Sequence, residues 1–255
     1  MKRFKLLKEA LGSFLGAIVF YTMIPLPDSW LIDLRRIARW SPLVGLILGT
    51  MLSSLDYLLE ITDCPRFLSN VLIVAFWLII TGGLHLDGVI DSADGLAVPN
   101  RNRRLEAMRD SNVGAFGVMA VILLLLLKIS SLVDLHSHRA LVLILSASWG
   151  RWGQLFSIAS FPYLRAEGKG AFHKTLLKLP EDLVLPLVFL IVVSLSGGGL
   201  GIVLSLMGLS ISSLVGWWFF RQFNGHTGDT YGAVVEWSEA IFLAMATILM
   251  RHIHQ

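Results

Sequence analysis

Long apolar runs constrain this chain more than any other feature. Stretches such as VLIVAFWLII (71–80) and VMAVILLLLL (118–127) cannot be kept out of water by a fold of this size. A membrane-crossing helix needs about 20 consecutive apolar residues. Runs of roughly that length recur near 10–26, 41–60, 67–84, 113–133, 139–161, 183–197, 199–220 and 233–250. None shows the two-residue alternation of a membrane barrel, and backbone in lipid must satisfy its hydrogen bonds internally. The expectation is an all-α, polytopic integral membrane helical bundle. The first run is short and the two around Ser196–Gly199 merge, so the pattern predicts six to eight transmembrane helices. Composition agrees: 55% of the 255 residues are hydrophobic and only 15% charged, where a soluble domain carries about a quarter. No soluble domain fits between the runs, which predicts one membrane domain over 1–255. The basic start resembles a signal peptide but has no small-residue cleavage site and ends in Pro25 and Pro27, so it is read as part of the mature chain. The single cysteine, Cys64, excludes an intrachain disulfide and a multi-thiolate metal site. A net charge of +3 gives no reason to expect a nucleic-acid partner.

The unusual polar residues fall in three loops, 85–112, 162–182 and 221–232. With the spans above, these follow the third, fifth and seventh helices and so share one membrane face. Together with the 27–40 loop that face collects 12 Lys and Arg residues against 8 on the other. The positive-inside rule then predicts that the polar face is cytoplasmic. Lys2, Arg3, Lys5 and Lys8 conflict with this if 10–26 crosses once, and a re-entrant or interfacial first segment resolves the conflict.

The densest polar stretch is TGGLHLDGVIDSADGL (81–96). On a helix Asp87, Asp91 and Asp94 lie at i, i+4 and i+7 and point within about 60° of one another. Carboxylates about 6 Å apart repel by roughly 2–3 kcal/mol per pair at an effective dielectric near 20. A hard divalent cation would reverse that repulsion, and Mg²⁺ commonly joins one or two carboxylates to substrate phosphates. The three aspartates are therefore the candidate metal ligands. The alternative is that an aspartate beside glycine only caps a helix or a turn. Gly82, Gly83, Gly88 and Gly95 allow a broken helix here. His85 is read either as a catalytic residue or as a hydrogen-bonded packing residue.

Other groups on the same face complement the acids. Arg109, Asp110 and Ser111 lead into Gly114–Gly117 at a helix start, where small residues and free N–H groups favour phosphate. Arg151 stands within an apolar run, where a guanidinium is costly unless it lines a polar cavity. In NGHTGDTYGAVVEWSEA, Thr227 and Gly228 form a turn before Asp229, and Glu236 follows inside an apolar span. Arg109, Asp110, Ser111, Arg151, Thr227 and Gly228 are the candidate substrate-binding residues, and Asp229, Glu236 and His85 the candidate catalytic ones. Acidic metal ligands with arginines suit phosphoryl transfer, where positioning and charge stabilisation dominate. No Walker loop, Rossmann fingerprint, nucleophile elbow or HExxH motif occurs.

Four blocks, GGLHLDGVIDSADGL, RDSNVGAFG, FPYLRAEGKG and TGDTYGAVVEWSE, resemble the cobalamin (5′-phosphate) synthase family in content and order. The resemblance covers nearly the whole chain, with one departure at Asn224–Gly225–His226, where the family often reads Gly-Gly-x. It implies a Mg²⁺-dependent enzyme of the bacterial inner membrane with its catalytic loops in the cytoplasm. The substrates would be adenosylcobinamide-GDP and α-ribazole or its 5′-phosphate, and the products GMP and the completed corrin nucleotide loop. Asp229 or Glu236 would complete the metal shell or act as base, and Arg109 and Arg151 would neutralise the leaving GMP. Two other classes remain. One is another Mg²⁺-dependent membrane phosphotransferase or a prenyltransferase, although the Ala-Arg that follows Asp-Gly in CDP-alcohol phosphotransferases is missing after Gly88. The other is a cation transporter, which would have no use for phosphate-binding arginines.

Overall fold

The computed structural model describes residues 2–27, 29–110, 112–165 and 169–253. Among them the chain forms eleven α-helices and no strand beyond an isolated bridge between Tyr163 and His226. They are α1 (Lys2–Tyr21), α2 (Ser41–Ile61), α3 (Arg66–Ile80), α4 (Leu84–Ala97), α5 (Arg104–Ala107), α6 (Ala115–Asp134), α7 (Arg139–Ser160), α8 (Lys169–Leu176), α9 (Glu181–Leu195), α10 (Gly198–Phe223) and α11 (Gly228–Ile253). The all-α, polytopic membrane class expected from the apolar runs is the one observed.

The number of clear spans is smaller than the six to eight expected. Among the described residues four helical segments are long and apolar enough to cross: Ile37–Ile61, Ala115–Asp134, Gly198–Phe223 and Gly228–Ile253. A fifth arises if α3 and α4, bent by 91° across a short break, are one broken span. The shortfall has physical causes. Basic residues fill the first turns of α1, α9 has only 15 residues, and the second half of α7 carries Arg151 and Gln154 among its tryptophans.

Helix α7 is nonetheless the centre of the bundle. Nearly every side chain from Val142 to Ala159 is buried, against α2 on one side and α10 and α11 on the others. Small residues permit this. A Cβ at Gly45 would stand 2.4 Å from the Ala147 carbonyl oxygen, so α2 and α7 meet backbone to backbone. Without a hydrophobic drive between helices in lipid, such close approach and interhelical polar contacts supply much of the association.

Each end of the bundle is tied separately. At one end Arg139 donates to Asp56 (2.7 and 2.8 Å), Asn70 (2.8 Å) and the Leu132 carbonyl (2.6 Å), joining α2, α3, α6 and α7. At the other end the three polar loops meet. The Leu164 N–H donates to the His226 carbonyl and the His226 N–H to that of Pro162, both at 2.8 Å, while Arg104 reaches the Gln222 carbonyl at 2.9 Å. The loops read from parity as sharing one face do share it. Helix α1 packs its Gly12–Gly16 face on residues 31–37 and the start of α2 at this same end, and Met23 bonds the Ile80 carbonyl.

Candidate active site

The acidic helix owes its placement to two glycines. Gly82 (φ 60°) and Gly83 (φ 66°) both take the left-handed conformation that L side chains resist, which stops α3 and turns the chain into α4. The aspartates therefore lie on a helix set crosswise to the bundle. Gly88 then lets α11 approach, since a Cβ there would stand 2.2 Å from the Asp229 carbonyl oxygen. That contact brings the start of α11, with Asp229, onto the face of α4 that carries Asp87 and Asp91.

The three aspartates of α4 do not share one task. Asp94 accepts the N–H groups of Gly114 and Gly117, each at 2.8 Å, so its carboxylate caps the first turn of α6. A Cβ at Gly114 or Gly117 would strike that carboxylate. The capping alternative thus describes Asp94, and the small residues at 114–117 make room for an internal carboxylate rather than for an external phosphate. Asp87 is exposed and Asp91 half-buried, and neither carboxylate bonds another described residue. Asp91 lies in electrostatic range of Asp229, Asp87, Arg165 and Asp94. No group of three His, Cys, Asp or Glu side chains among the described residues is arranged to hold a metal ion.

The cation beside this cluster is Arg165. It bonds Asp229 at 2.8 Å and reaches the Met108 carbonyl at 3.4 Å, and its Nε is buried without a partner. In the sequence Arg165 reads only as loop charge, because no spacing ties it to Asp229. Thr227 sets the start of α11: its hydroxyl accepts the Thr230 N–H at 3.3 Å and bonds Asp229 at 3.3 Å. Its observed contacts are those of a helix cap, with Gly228 exposed beside it. Arg109 is exposed, one residue beyond the Met108 whose carbonyl Arg165 reaches. Asp110 accepts the backbone and side-chain N–H groups of Asn112 (3.0 and 2.8 Å), which hold its carboxyl below the usual range. Ser111 lies outside the described residues.

Two expected site residues belong instead to a buried ion network. Lys128 bonds Glu236 at 2.6 Å and Glu239 at 2.7 Å, Glu239 bonds Arg151 at 2.7 Å, and Lys128 lies 4.3 Å from the centre of the Trp77 ring. All four charged groups are within 3% of full burial. Glu236 therefore faces a lysine rather than a cavity, and Arg151 has the acidic partner that a structural arginine in a membrane requires. Lys128, interrupting a leucine run, carries the same sequence signal as Arg151. His85 is buried, its ring 6.2 Å from that of Tyr21, with neither ring nitrogen bonded; two residues from Asp87 on α4, it points away from the acidic face.

Fold and site define a polytopic α-helical membrane protein with a carboxylate cluster and one arginine at a single rim. The chain belongs to the cobalamin-5-phosphate synthase family, whose sequence profile matches residues 13–247. Three similar proteins, each named adenosylcobinamide-GDP ribazoletransferase, come from cyanobacteria. That of Trichormus variabilis is 47% identical over 96% of this chain and its own full length. That of Synechocystis is 48% identical over 89% of this chain and 91% of its own. That of Thermosynechococcus vestitus is 46% identical over 95% and 98%. No solved structure matches the chain.

Proposed function

We propose that this chain is an adenosylcobinamide-GDP ribazoletransferase, acting in the last assembly step of the cobalamin nucleotide loop. The observation that carries the reading is the rim where Asp87, Asp91, Asp229 and Arg165 meet, in a chain alike over nearly its full length to proteins of that name. A ribose hydroxyl of α-ribazole or its 5′-phosphate attacks the phosphorus that bears the cobinamide. One new P–O bond forms, the P–O bond to the guanylyl phosphate breaks, and GMP leaves with the electron pair. Asp229, on the α4 side of the α11 start, takes the hydroxyl proton. Arg165, beside the acids, stabilises the charge that builds on the diphosphate, with Arg109 as the second candidate cation.

The donor set fits Mg²⁺. Asp87 and Asp91 offer oxygens free of hydrogen bonds, and Mg²⁺ needs only one or two carboxylates when substrate phosphates and water fill its octahedron. When bound there it would act as a Lewis acid toward the diphosphate. Asp94 has its oxygens on α6, so the proposed ligands are two rather than three.

The reaction side is the cytoplasmic face of a bacterial inner membrane, a reading supported by the excess of basic residues at the site end. The test is GMP release from adenosylcobinamide-GDP and α-ribazole 5′-phosphate by purified protein in nanodiscs, with and without Mg²⁺. Release that needs both substrates and the metal is expected, and no release under any condition would overturn the assignment. Sidedness is read separately with an impermeant maleimide. Asn102→Cys in a Cys64→Ser background should label from the cytoplasm, and native Cys64 from the other side.

A further inference from the structure

A pocket of about 220 Å³ opens on the flank of the bundle between the starts of α2 and α9, on elements that contribute nothing to the acidic rim. Leu43, Leu185, Pro186 and Phe189 form its apolar wall, and Arg39, Trp40, Glu181 and Asp182 its polar one. Leu185 and Phe189 are exposed on the lipid-facing side. Leu43 lies one turn further into the bundle than Arg39, and Phe189 two turns further than Asp182. Polarity therefore changes along the pocket from charged to wholly apolar.

Arg39 is an under-satisfied cation. The acid beside it, Asp182, is buried and already engaged. Arg36 donates to both of its oxygens through Nε (3.0 Å) and Nη2, and the Lys178 N–H adds a bond of 2.8 Å. Arg39 is left with a 3.6 Å approach to that carboxylate, a buried Nε that donates to nothing, and a stack 4.7 Å over the Trp40 ring. The other acid at the pocket, Glu181, is exposed and makes no ion pair among the described residues. Two guanidiniums thus share one buried carboxylate where an apolar span begins. A buried donor without a partner is costly, and at a membrane surface the abundant acceptor is a lipid phosphate.

We propose that this cleft binds an anionic phospholipid, its phosphate on the Arg39 guanidinium and an acyl chain along Leu43, Leu185 and Phe189. The order of groups matches a lipid standing in the leaflet, whereas a soluble phosphate would leave the apolar depth without use. The lipid would seal the short helix α9 against α2.

The experiment compares retained lipid, by native mass spectrometry, and melting temperature for the full chain in nanodiscs. The arms are phosphatidylcholine, phosphatidylcholine with phosphatidylglycerol, and phosphatidylcholine with added glycerol 3-phosphate. Wild type is expected to retain phosphatidylglycerol about tenfold over phosphatidylcholine, consistent with a charge-assisted contact of about 1.4 kcal/mol, and to melt higher in its presence. Arg39→Gln should lose that preference, and glycerol 3-phosphate should raise the melting temperature of neither protein. Undiminished retention by Arg39→Gln overturns the proposal. So does an equal rise with glycerol 3-phosphate, which would mark a site for soluble phosphate. If Arg39→Gln does not fold, Leu185→Ala with Phe189→Ala takes its place. That pair should also lose the preference, and keeping it would remove the acyl-chain half of the proposal.

Discussion

Replacing Lys128 by methionine tests whether Glu236 is structural or chemical. Lys128 holds Glu236 at 2.6 Å and Glu239 at 2.7 Å, and Glu239 keeps a second partner in Arg151. Lys128→Met therefore leaves Glu236 alone as a buried charge. Breaking a buried pair on one side costs about 3–5 kcal/mol, and loss of the contact with Trp77 adds about 1–2. Glu236→Gln alone leaves Lys128 its bond to Glu239 but one net positive charge in the network, so it should destabilise by less than Lys128→Met. The double variant returns the site to one neutral pair, Glu239 with Arg151, so its stability should recover by at least half. The assay is thermal unfolding in nanodiscs beside GMP release from the same preparations. On this reasoning activity follows stability, and the double variant regains both. If Glu236→Gln melts like wild type yet releases no GMP, the ion-network account fails and Glu236 is the base.

The other predictions separate roles along the acidic rim. Asp87→Asn and Asp91→Asn should lower transfer by roughly 10²-fold or more with melting unchanged, whereas Asp94→Ala should lose about 1–2 kcal/mol of stability through the uncapped α6. Equal melting for all three variants would return Asp94 to the ligand set. Gly88→Ala drives a methyl into the Asp229 carbonyl and should abolish GMP release while the chain still inserts, and near-normal turnover would show that α4 and α11 need not meet so closely. Burial pushes the imidazoles of His226 and His173 down to about 4, so the unfolded chain protonates first as pH falls. Stability should be flat above about pH 6.5 and decline toward pH 4, each group contributing about 3 kcal/mol in all. His226→Gln should flatten roughly half of that decline in a melting series, and an unchanged slope would refute its buried, neutral state.

Much of this was legible in the sequence because it rests on local pattern. Apolar run length gave the all-α membrane class, and loop parity placed the polar segments at one end. The glycines at 82, 83, 88 and 95 allow a broken helix, and the structure puts the break at the first two. What could not be read depends on partners far apart in the chain. Helical spacing puts Asp87, Asp91 and Asp94 on one face, but it cannot say that the N–H groups of Gly114 and Gly117 already claim Asp94. An arginine in an apolar run signals a partner without naming it, and for Arg151 that partner is a glutamate 88 residues away. Arg165 carried no signal beyond charge, since its pairing with Asp229 appears only once two loops are stitched together by backbone bonds.

That separation of 88 residues also bears on how the chain enters its membrane. Arg151 leaves the ribosome on α7 well before Glu239 exists on α11, and a lone guanidinium at mid-bilayer is among the least tolerable groups in hydrocarbon. The central helix, like α6 with its Lys128, thus cannot settle on its own. It must wait at the insertion machinery, or in contact with water, until the last helix arrives with its countercharge. Closure of the bundle around α7 is then a late event of biogenesis. A chain truncated before α11 would leave two unpaired cations, Lys128 and Arg151, in the membrane, a ready mark for quality control.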